Sequence, residues 1–243
     1  IIKRLSFIKY FYGFAREQSK LPPPQNYISV LMFHDSIELF LNLSAEFLKV
    51  NKKDPNFMEY FTEINKKLND HELTQKISMD KLNKVRVLLK HKGLYPNLND
   101  IEYFRVNTQN FFEENCPTIF GIKFIDISLL DLIQDEEVKN ILEDAQNEFK
   151  SGEYKKSLEY ISIAFYVLLK NYEENKKVYG RSPFDIGGDL RFIGSLSWDN
   201  NSKISDVGSM LKVIQEVLKI ILLNLDYRKF IKFRQLTSDS VYE

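Results

Sequence analysis

The amino-acid sequence predicts an all-α protein, an irregular helical bundle of about seven to nine helices. Two observations support this fold class. Apolar residues recur at three- and four-residue spacing along most of the chain, as they do on the buried face of a helix. Prolines and glycines fall between these periodic stretches, where they end one helix before the next begins.

Five helices are predicted in the first half, over 1–19, 27–50, 55–69, 78–92 and 99–117. The run Pro22-Pro23-Pro24 ends the first helix. Asp54 is the expected N-cap of the third helix, with Pro55 at its first position, and Ser78 is the expected N-cap of the fourth. Pro117 is expected to close the fifth helix.

The second half predicts a further helical segment. Residues 118–126 are rich in Ile and Phe and predict a buried connector or a short strand. Asp135 is the expected N-cap of a helix that turns at Ser151-Gly152 into a second helix over 154–177. A long loop over 178–203 leads to a helix over 205–225. The expected organisation is a first segment, 1–115, with a second segment, 116–243, packed on it.

Composition excludes several classes of protein. The chain has 243 residues, of which 44% are hydrophobic, with 34 basic and 34 acidic residues, so no global charge favours nucleic acid or an anionic membrane. The single cysteine, Cys116, excludes an intramolecular disulfide and fits a reducing compartment, so we expect a cytoplasmic protein. The most apolar helix, over 213–225, contains Glu216 and Lys219 and is expected to be a core helix rather than a membrane span.

The fourth helix carries the two residues best suited to catalysis, Arg86 and His91. At about 100° per residue, Arg86 lies roughly 40° from the apolar Leu82, at the boundary of the buried stripe. His91 would lie about 140° from Arg86 on a straight helix. Because Lys92-Gly93 is a plausible helix end, unwinding at His91 could bring both side chains to one site.

Arg86 and His91 are the candidate catalytic residues for binding and cleaving a phosphodiester. Imidazole moves protons near neutral pH, and guanidinium stabilises charge on a phosphate in the transition state. The candidate RNA-binding residues, which share the same helix, are Asn83, Lys84, Lys90 and Lys92. The alternative interpretation is a capping histidine and a surface-paired arginine.

The chain has two other histidines, His34 and His71. His34 and Glu38 stand at positions i and i+4 of the second helix, where a hydrogen bond between them could orient either side chain, so both are supporting candidates. The alternative for His34 is a buried core histidine, and His71 is expected to be a solvated loop residue. The dispersed histidines and one cysteine match no zinc spacing, so neither a metal site nor a cofactor is predicted.

One resemblance covers roughly residues 1–115. The helix that contains His34-Asp35-Ser36-Ile37-Glu38, followed by two helices of which the second carries Arg86-x4-His91, resembles the HEPN (higher eukaryotes and prokaryotes nucleotide-binding) superfamily. The resemblance implies a HEPN-like helical bundle and a metal-independent endoribonuclease, often part of a toxin or antiviral system. It also implies a homodimer in which two copies of the motif helix form the active site. Arg86 and His91 match the motif, and Val87 stands where many active members have a polar residue.

Two other classes of function remain open. A non-catalytic helical module could bind a protein partner, a nucleotide or RNA, and the 19 Phe and 13 Tyr could form its interaction surface or a large core. A sensor that binds a small molecule between helices is the third possibility, although no motif selects a ligand. Cleavage of a mixed RNA substrate by the purified protein would separate these classes.

Overall fold

A computed structural model describes residues 1–53, 55–69, 71–184 and 202–237. Within those ranges the chain is all-α, as predicted, and contains no β-strand. The helices are α1 (Ile2–Gln18), α2 (Ile28–Phe47), α3 (Phe57–Asn65), α4 (Lys76–Lys92), α5 (Leu98–Phe120), α6 (Glu136–Lys150), α7 (Tyr154–Asn175), α8 (Ser202–Leu222) and α9 (Tyr227–Leu236).

The chain divides into two compact units, Ile1–Leu132 and Ile133–Glu243. The first unit contains α1 to α5, and the second contains α6 to α9. The apolar segment over 118–126 belongs to the first unit, where it forms the end of α5 and a 3₁₀ turn, Phe124–Asp126. It is a buried connector rather than a strand, because Phe124 and Ile127 pack into the core.

Helix α2 is the centre of the first unit and packs against α1, α3, α4 and α5. A helix surrounded in this way must bury polar residues without leaving their hydrogen bonds unmade. Three buried serines of α2 do so by donating to main-chain carbonyl oxygens three or four residues earlier, at 2.6–2.7 Å: Ser29, Ser36 and Ser44. Small side chains bonded to their own helix therefore let neighbouring helices approach closely.

Aromatic rings fill the space between α2 and α5. The Phe40 ring is fully buried and meets three rings of α5 edge-on, with centroid distances of 5.4, 5.5 and 5.6 Å to Phe111, Phe112 and Phe120. Edge-to-face pairs of this kind add to the hydrophobic burial of each ring. The phenylalanine content of the first unit therefore serves a large core.

Among the described residues, one helical stretch is long and apolar enough to cross a membrane, over Gln25–Phe47, and 61% of its 18-residue apolar window is buried inside the protein. This is α2 with its preceding turn. The helix over 213–225 was expected to be a core helix, and its burial is mixed. In α8, Ile220 is buried, whereas Val213 and Ile221 are exposed.

The start of α3 differs from its prediction. The helix begins at Phe57, and Asn56 caps it by accepting a hydrogen bond from the Glu59 main-chain nitrogen at 3.0 Å. The Glu59 carboxylate accepts from the Asn56 main-chain nitrogen at 3.0 Å, which completes a capping box. Pro55 therefore precedes the helix, and the proposed cap Asp54 lies outside the described residues.

Ser78 is not the N-cap of α4, because the helix begins two residues earlier, at Lys76. Its hydroxyl lies 2.8 Å from the Tyr103 hydroxyl and donates to the Asn107 side chain at 3.1 Å. Both partners are on α5. The hydroxyl that suggested a cap thus joins two neighbouring helices.

Pro117 does not close α5, which continues to Phe120 and ends at Gly121 in the left-handed region, with φ of 70°. Proline forgoes only its own hydrogen bond to the preceding turn, a small loss so close to the helix end. At the other end, Asn97 caps the helix by accepting from the Asp100 nitrogen at 2.8 Å. The helix therefore begins slightly earlier than the predicted Asn99 or Asp100.

In the second unit, Asp135 caps α6 as predicted and accepts from the Val138 nitrogen at 3.1 Å. Helices α6 and α7 form the predicted hairpin, in which the buried Ser157 hydroxyl donates to the Ala145 carbonyl at 2.7 Å. Most of the predicted loop over 178–203 lies outside the described residues. The sequence prediction missed α9, which Asp226 caps.

We expect Phe40→Ala to lower the free energy of unfolding by about 3–5 kcal/mol, because it opens a cavity among three α5 rings. The matched control is Phe14→Ala on α1, whose side chain is exposed. Urea unfolding followed by circular dichroism measures both variants. Equal losses of stability in the two would contradict the central position of Phe40.

Candidate functional site

A polar cluster lies where α4 crosses α2. We call it the His34 cluster. It consists of His34, Asp35 and Glu38 of α2 and of Asn83 and Arg86 of α4. His34 is 2% exposed, and its ring stacks on Phe57 with a centroid distance of 4.2 Å. Its Nε2 lies 3.1 Å from the Asn83 Oδ1. A hydrogen bond from a buried histidine therefore connects α2 to α4.

The other nitrogen of His34 faces two carboxylates. Nδ1 lies 3.4 Å from Asp35 Oδ1 and 3.8 Å from Glu38 Oε2. Asn83 can present either its oxygen or its amide nitrogen to Nε2, so a proton on Nδ1 suits both the neutral and the charged ring. Glu38 therefore lies near His34 without the predicted hydrogen bond, which Nδ1 forms with Asp35 instead, and His34 is a buried histidine as the alternative describes.

Positive charge from α4 reaches the carboxylates of α2. The hydrogen bond from His34 lowers the pKa of Asp35, partial burial opposes that effect, and the charges of His34, Arg86 and Lys90 lower the pKa further. Asp35 is therefore ionised at neutral pH. The sequence prediction missed Asp35, because its position beside Arg86 depends on how α2 and α4 pack.

Arg86 is half-buried at the edge of this cluster, as its place beside the apolar stripe predicts. It makes no hydrogen bond or ion pair with any described residue, and its buried Nε has no acceptor. Lys84, by contrast, is paired with Asp80 at 2.6 Å. Of the cationic candidates on α4, Arg86 therefore retains its hydrogen-bonding capacity for a ligand, whereas Lys84 has a partner on its own helix.

The expected unwinding at His91 was wrong, because α4 continues through Lys92. Gly93 ends the helix with φ of 63°, and its nitrogen donates to the Leu89 carbonyl at 3.2 Å. His91 is exposed and about 140° around the helix from Arg86. One chain therefore does not bring Arg86 and His91 together on the same face of α4.

Three of the remaining candidates lie at the protein surface. Lys90, Lys92 and His71 are exposed, and none of them has an ion pair within the described ranges. His71 lies between α3 and α4, as expected of a solvated loop residue. Lys90 is close enough to act on Asp35, so of these three only Lys90 extends the His34 cluster.

The cluster also includes potential metal ligands that the sequence prediction missed. One nitrogen of His34 and one carboxylate oxygen each of Asp35 and Glu38 lie within 4.8 Å of one another. Such a donor set suits a divalent ion. The positive charges of Arg86 and Lys90 act at the same place and oppose a further cation, so we assign the carboxylates to His34 and to the α4 cations instead.

The single cysteine of the sequence, Cys116, is poorly placed to act as a nucleophile. Cys116 is buried in α5. Burial raises the pKa of its thiol to about 11, so the thiolate is scarce at neutral pH. The residues of the His34 cluster and the exposed His91 are therefore the stronger candidates for chemistry in the first unit.

No family model, curated protein or solved structure was found to match this chain. The resemblance to the HEPN superfamily therefore rests on the Arg86-x4-His91 motif and on the order of the helices. The His34 cluster is identified as a candidate site from its geometry alone.

We expect His34→Ala to raise the pKa of Asp35 toward its ordinary value, because the variant removes the hydrogen bond and charge of the ring. Lys90→Ala should produce a smaller rise. Carbon-13 NMR titration of the Asp35 carboxyl measures both, with His71→Ala as the control.

The same shift predicts a pH dependence of stability. Ionised Asp35 stabilises the fold above its unfolded-state pKa, about 4, and this contribution disappears as the pH falls through the lowered pKa of the folded state. An Asp35 pKa that is identical in wild type, His34→Ala and Lys90→Ala would contradict the assigned contacts.

Proposed function

We propose that this protein is a metal-independent endoribonuclease of HEPN type that acts in the cytoplasm as a toxin or antiviral effector. The observation that carries the proposal is that the Arg86 guanidinium is unpaired among the described residues. It lies beside the His34–Asn83 hydrogen bond between two helices and has no hydrogen-bond or ion-pair partner among the described residues. An unpaired guanidinium on a rigid helix is suited to bind a phosphate through two parallel hydrogen bonds.

The reaction requires one proton acceptor, one proton donor and a cation. The 2′-hydroxyl loses its proton and attacks the adjacent phosphorus, and the bond from phosphorus to the 5′-oxygen breaks as that oxygen gains a proton. The products are a 2′,3′-cyclic phosphate and a 5′-hydroxyl. His91 transfers the proton, since it is exposed and an imidazole is the side chain best suited to general acid–base catalysis. Arg86 stabilises the extra negative charge on the phosphate oxygens.

The remaining residues of the His34 cluster have a positioning role. Asn83 is three residues before Arg86 on α4, so its hydrogen bond to His34 fixes the rotation of α4 against α2. The charge of Arg86 acts on Asp35 of α2, although the two side chains form no ion pair. Lys90 and Lys92 add positive charge that attracts RNA.

The active site requires two chains under this proposal. Arg86 and His91 lie about 140° apart on one continuous helix, so we place Arg86 of one subunit beside His91 of the partner subunit across a two-fold axis. The exposed face of α4 supports this arrangement, because Ile77 is 86% exposed and Leu88 is partly exposed on the same side as His91. A homodimer through α4 would cover these apolar side chains.

A second candidate function is supported by a separate surface. Leu94, Tyr95 and Leu98 are exposed between and at the start of the helices α4 and α5, and Tyr95 stacks on Tyr27 at 5.1 Å. An ordered, exposed aromatic surface is typical of a protein-interaction module. Such a module would have no catalytic activity for His91 to support.

We expect the wild-type protein to cleave single-stranded RNA in the presence of EDTA and to leave 2′,3′-cyclic phosphate ends. Arg86→Ala and His91→Ala should each reduce the rate by about a hundredfold or more, because one removes charge stabilisation and the other removes proton transfer. The measurement is cleavage of a labelled RNA of mixed sequence.

His71→Ala is the matched control, since it removes an exposed histidine outside α4 and should leave the rate unchanged. Cleavage that depends on added divalent metal would assign the His34, Asp35 and Glu38 side chains to an ion instead. Absence of cleavage, or equal rates in all variants, would favour the interaction module.

We expect Leu88→Glu to convert the dimer to a monomer, because it places a charge on the apolar face that two α4 helices would share. Ile125→Glu is the control, since it changes an exposed apolar residue outside α4. Light scattering at high protein concentration measures the mass. A monomeric wild type would contradict the two-chain site.

A further inference from the structure

A surface groove of about 520 Å³ adjoins the His34 cluster. Its walls are formed by α1, α2 and α3, with Phe7 and Phe11 on one side and Tyr60 on another. Two carboxylates of the His34 cluster, Asp35 and Glu38, line the same groove. The groove and the proposed phosphate site therefore share the α2 face that carries Asp35.

One wall of the groove is aromatic. The Phe7 and Phe11 rings are nearly parallel, with an interplanar angle of 4° and centroids 6.3 Å apart. Phe7 is 47% exposed, although it is a large apolar side chain. Flat aromatic surfaces of this kind stack on the bases of single-stranded RNA.

The two carboxylates of the groove act as hydrogen-bond acceptors, and its other polar side chains, Asn42 and Tyr60, are already hydrogen-bonded to each other. The Asn42 amide already donates to the Tyr60 hydroxyl at 3.2 Å, and its oxygen accepts from Arg4 at 3.3 Å. The carboxylates of Asp35 and Glu38 are about half exposed. Asp35 also faces His34 and the α4 cations, so Glu38 is the carboxylate with more freedom to bind a ligand in the groove.

A carboxylate distinguishes among the four RNA bases by the donors that each base offers. Guanine has two adjacent donors on its Watson–Crick edge, N1–H and the N2 amino group, which match the two oxygens of one carboxylate. Uracil offers a single donor between two acceptors. Adenine and cytosine each have an amino group next to an unprotonated ring nitrogen, which repels the second carboxylate oxygen.

We propose that the groove binds a guanine base of single-stranded RNA, stacked on Phe7 and Phe11 with its N1–H and N2 amino group donating to Glu38. The inference rests on the proposed ribonuclease function and supplies its base preference. The adjoining phosphate would lie toward Arg86, which acts on the shared carboxylate Asp35. Cleavage would then occur beside guanosines.

The test compares short single-stranded RNAs that differ at one base, guanine or inosine, by fluorescence anisotropy. Inosine lacks only the N2 amino group. Wild type should bind the guanine oligonucleotide about tenfold more tightly, the scale of one bidentate contact. Glu38→Gln should abolish this preference, and Glu46→Gln, on the same helix outside the groove, should keep it.

A second pair of variants tests the aromatic wall. Phe7→Ala should weaken binding of both oligonucleotides, because stacking does not depend on the base. Phe14→Ala, which removes another exposed ring of α1, should bind as wild type does. Equal effects of the two variants would overturn the stacking assignment.

The outcomes separate this inference from the ribonuclease proposal. Cleavage of RNA together with equal affinity for the guanine and inosine oligonucleotides would overturn the guanine site and support the ribonuclease proposal. Guanine preference that depends on Glu38, without cleavage, would support the groove and overturn the catalytic role of His91. Binding of an arginine-rich peptide in place of RNA would overturn the guanine site, because an acidic aromatic groove also suits a cationic side chain.

Discussion

The burial of α2 among four helices sets the conditions for the rest of the first unit. Most polar residues on a helix so enclosed must find hydrogen bonds inside the protein. Ser29, Ser36 and Ser44 find them on main-chain carbonyl oxygens three or four residues earlier in the chain. His34 cannot do this with both ring nitrogens, so it requires Asn83 from α4. That one hydrogen bond orients α4 and, with it, Arg86.

The same constraint explains why the candidate site and the groove adjoin each other. Residues three or four apart on a helix share a face, so Asp35 and Glu38 extend from the buried His34 toward the surface. Charges from α4 act on Asp35, while Glu38 lines the groove beside the Phe7 and Phe11 rings. Under the proposed function, phosphate binding and base recognition lie around one central helix, and the partner subunit's His91 supplies proton transfer.

The sequence predicted which segments are helical because hydrophobic periodicity is a local property. It was less exact at helix ends, where one residue type has several uses: the Ser78 hydroxyl joins α4 to α5, and Pro117 is tolerated in the last turn of α5. The spacing of His34 and Glu38 indicated a shared face. The contact of His34 with Asn83 and the position of Asp35 beside Arg86 depend on tertiary packing, which no local pattern encodes. His91 stayed helical because Gly93, not the histidine, is the helix end.

The most direct test of the two-chain site is a mixing experiment with inactive variants. Chains carrying Arg86→Ala are refolded together with an equal amount of chains carrying His91→Ala. If Arg86 of one subunit acts with His91 of the partner subunit, mixed dimers have one intact site. Half of the dimers are mixed and each has one of two sites, so activity should recover to about a quarter of the wild-type value. Mixtures as inactive as either variant alone would contradict the account.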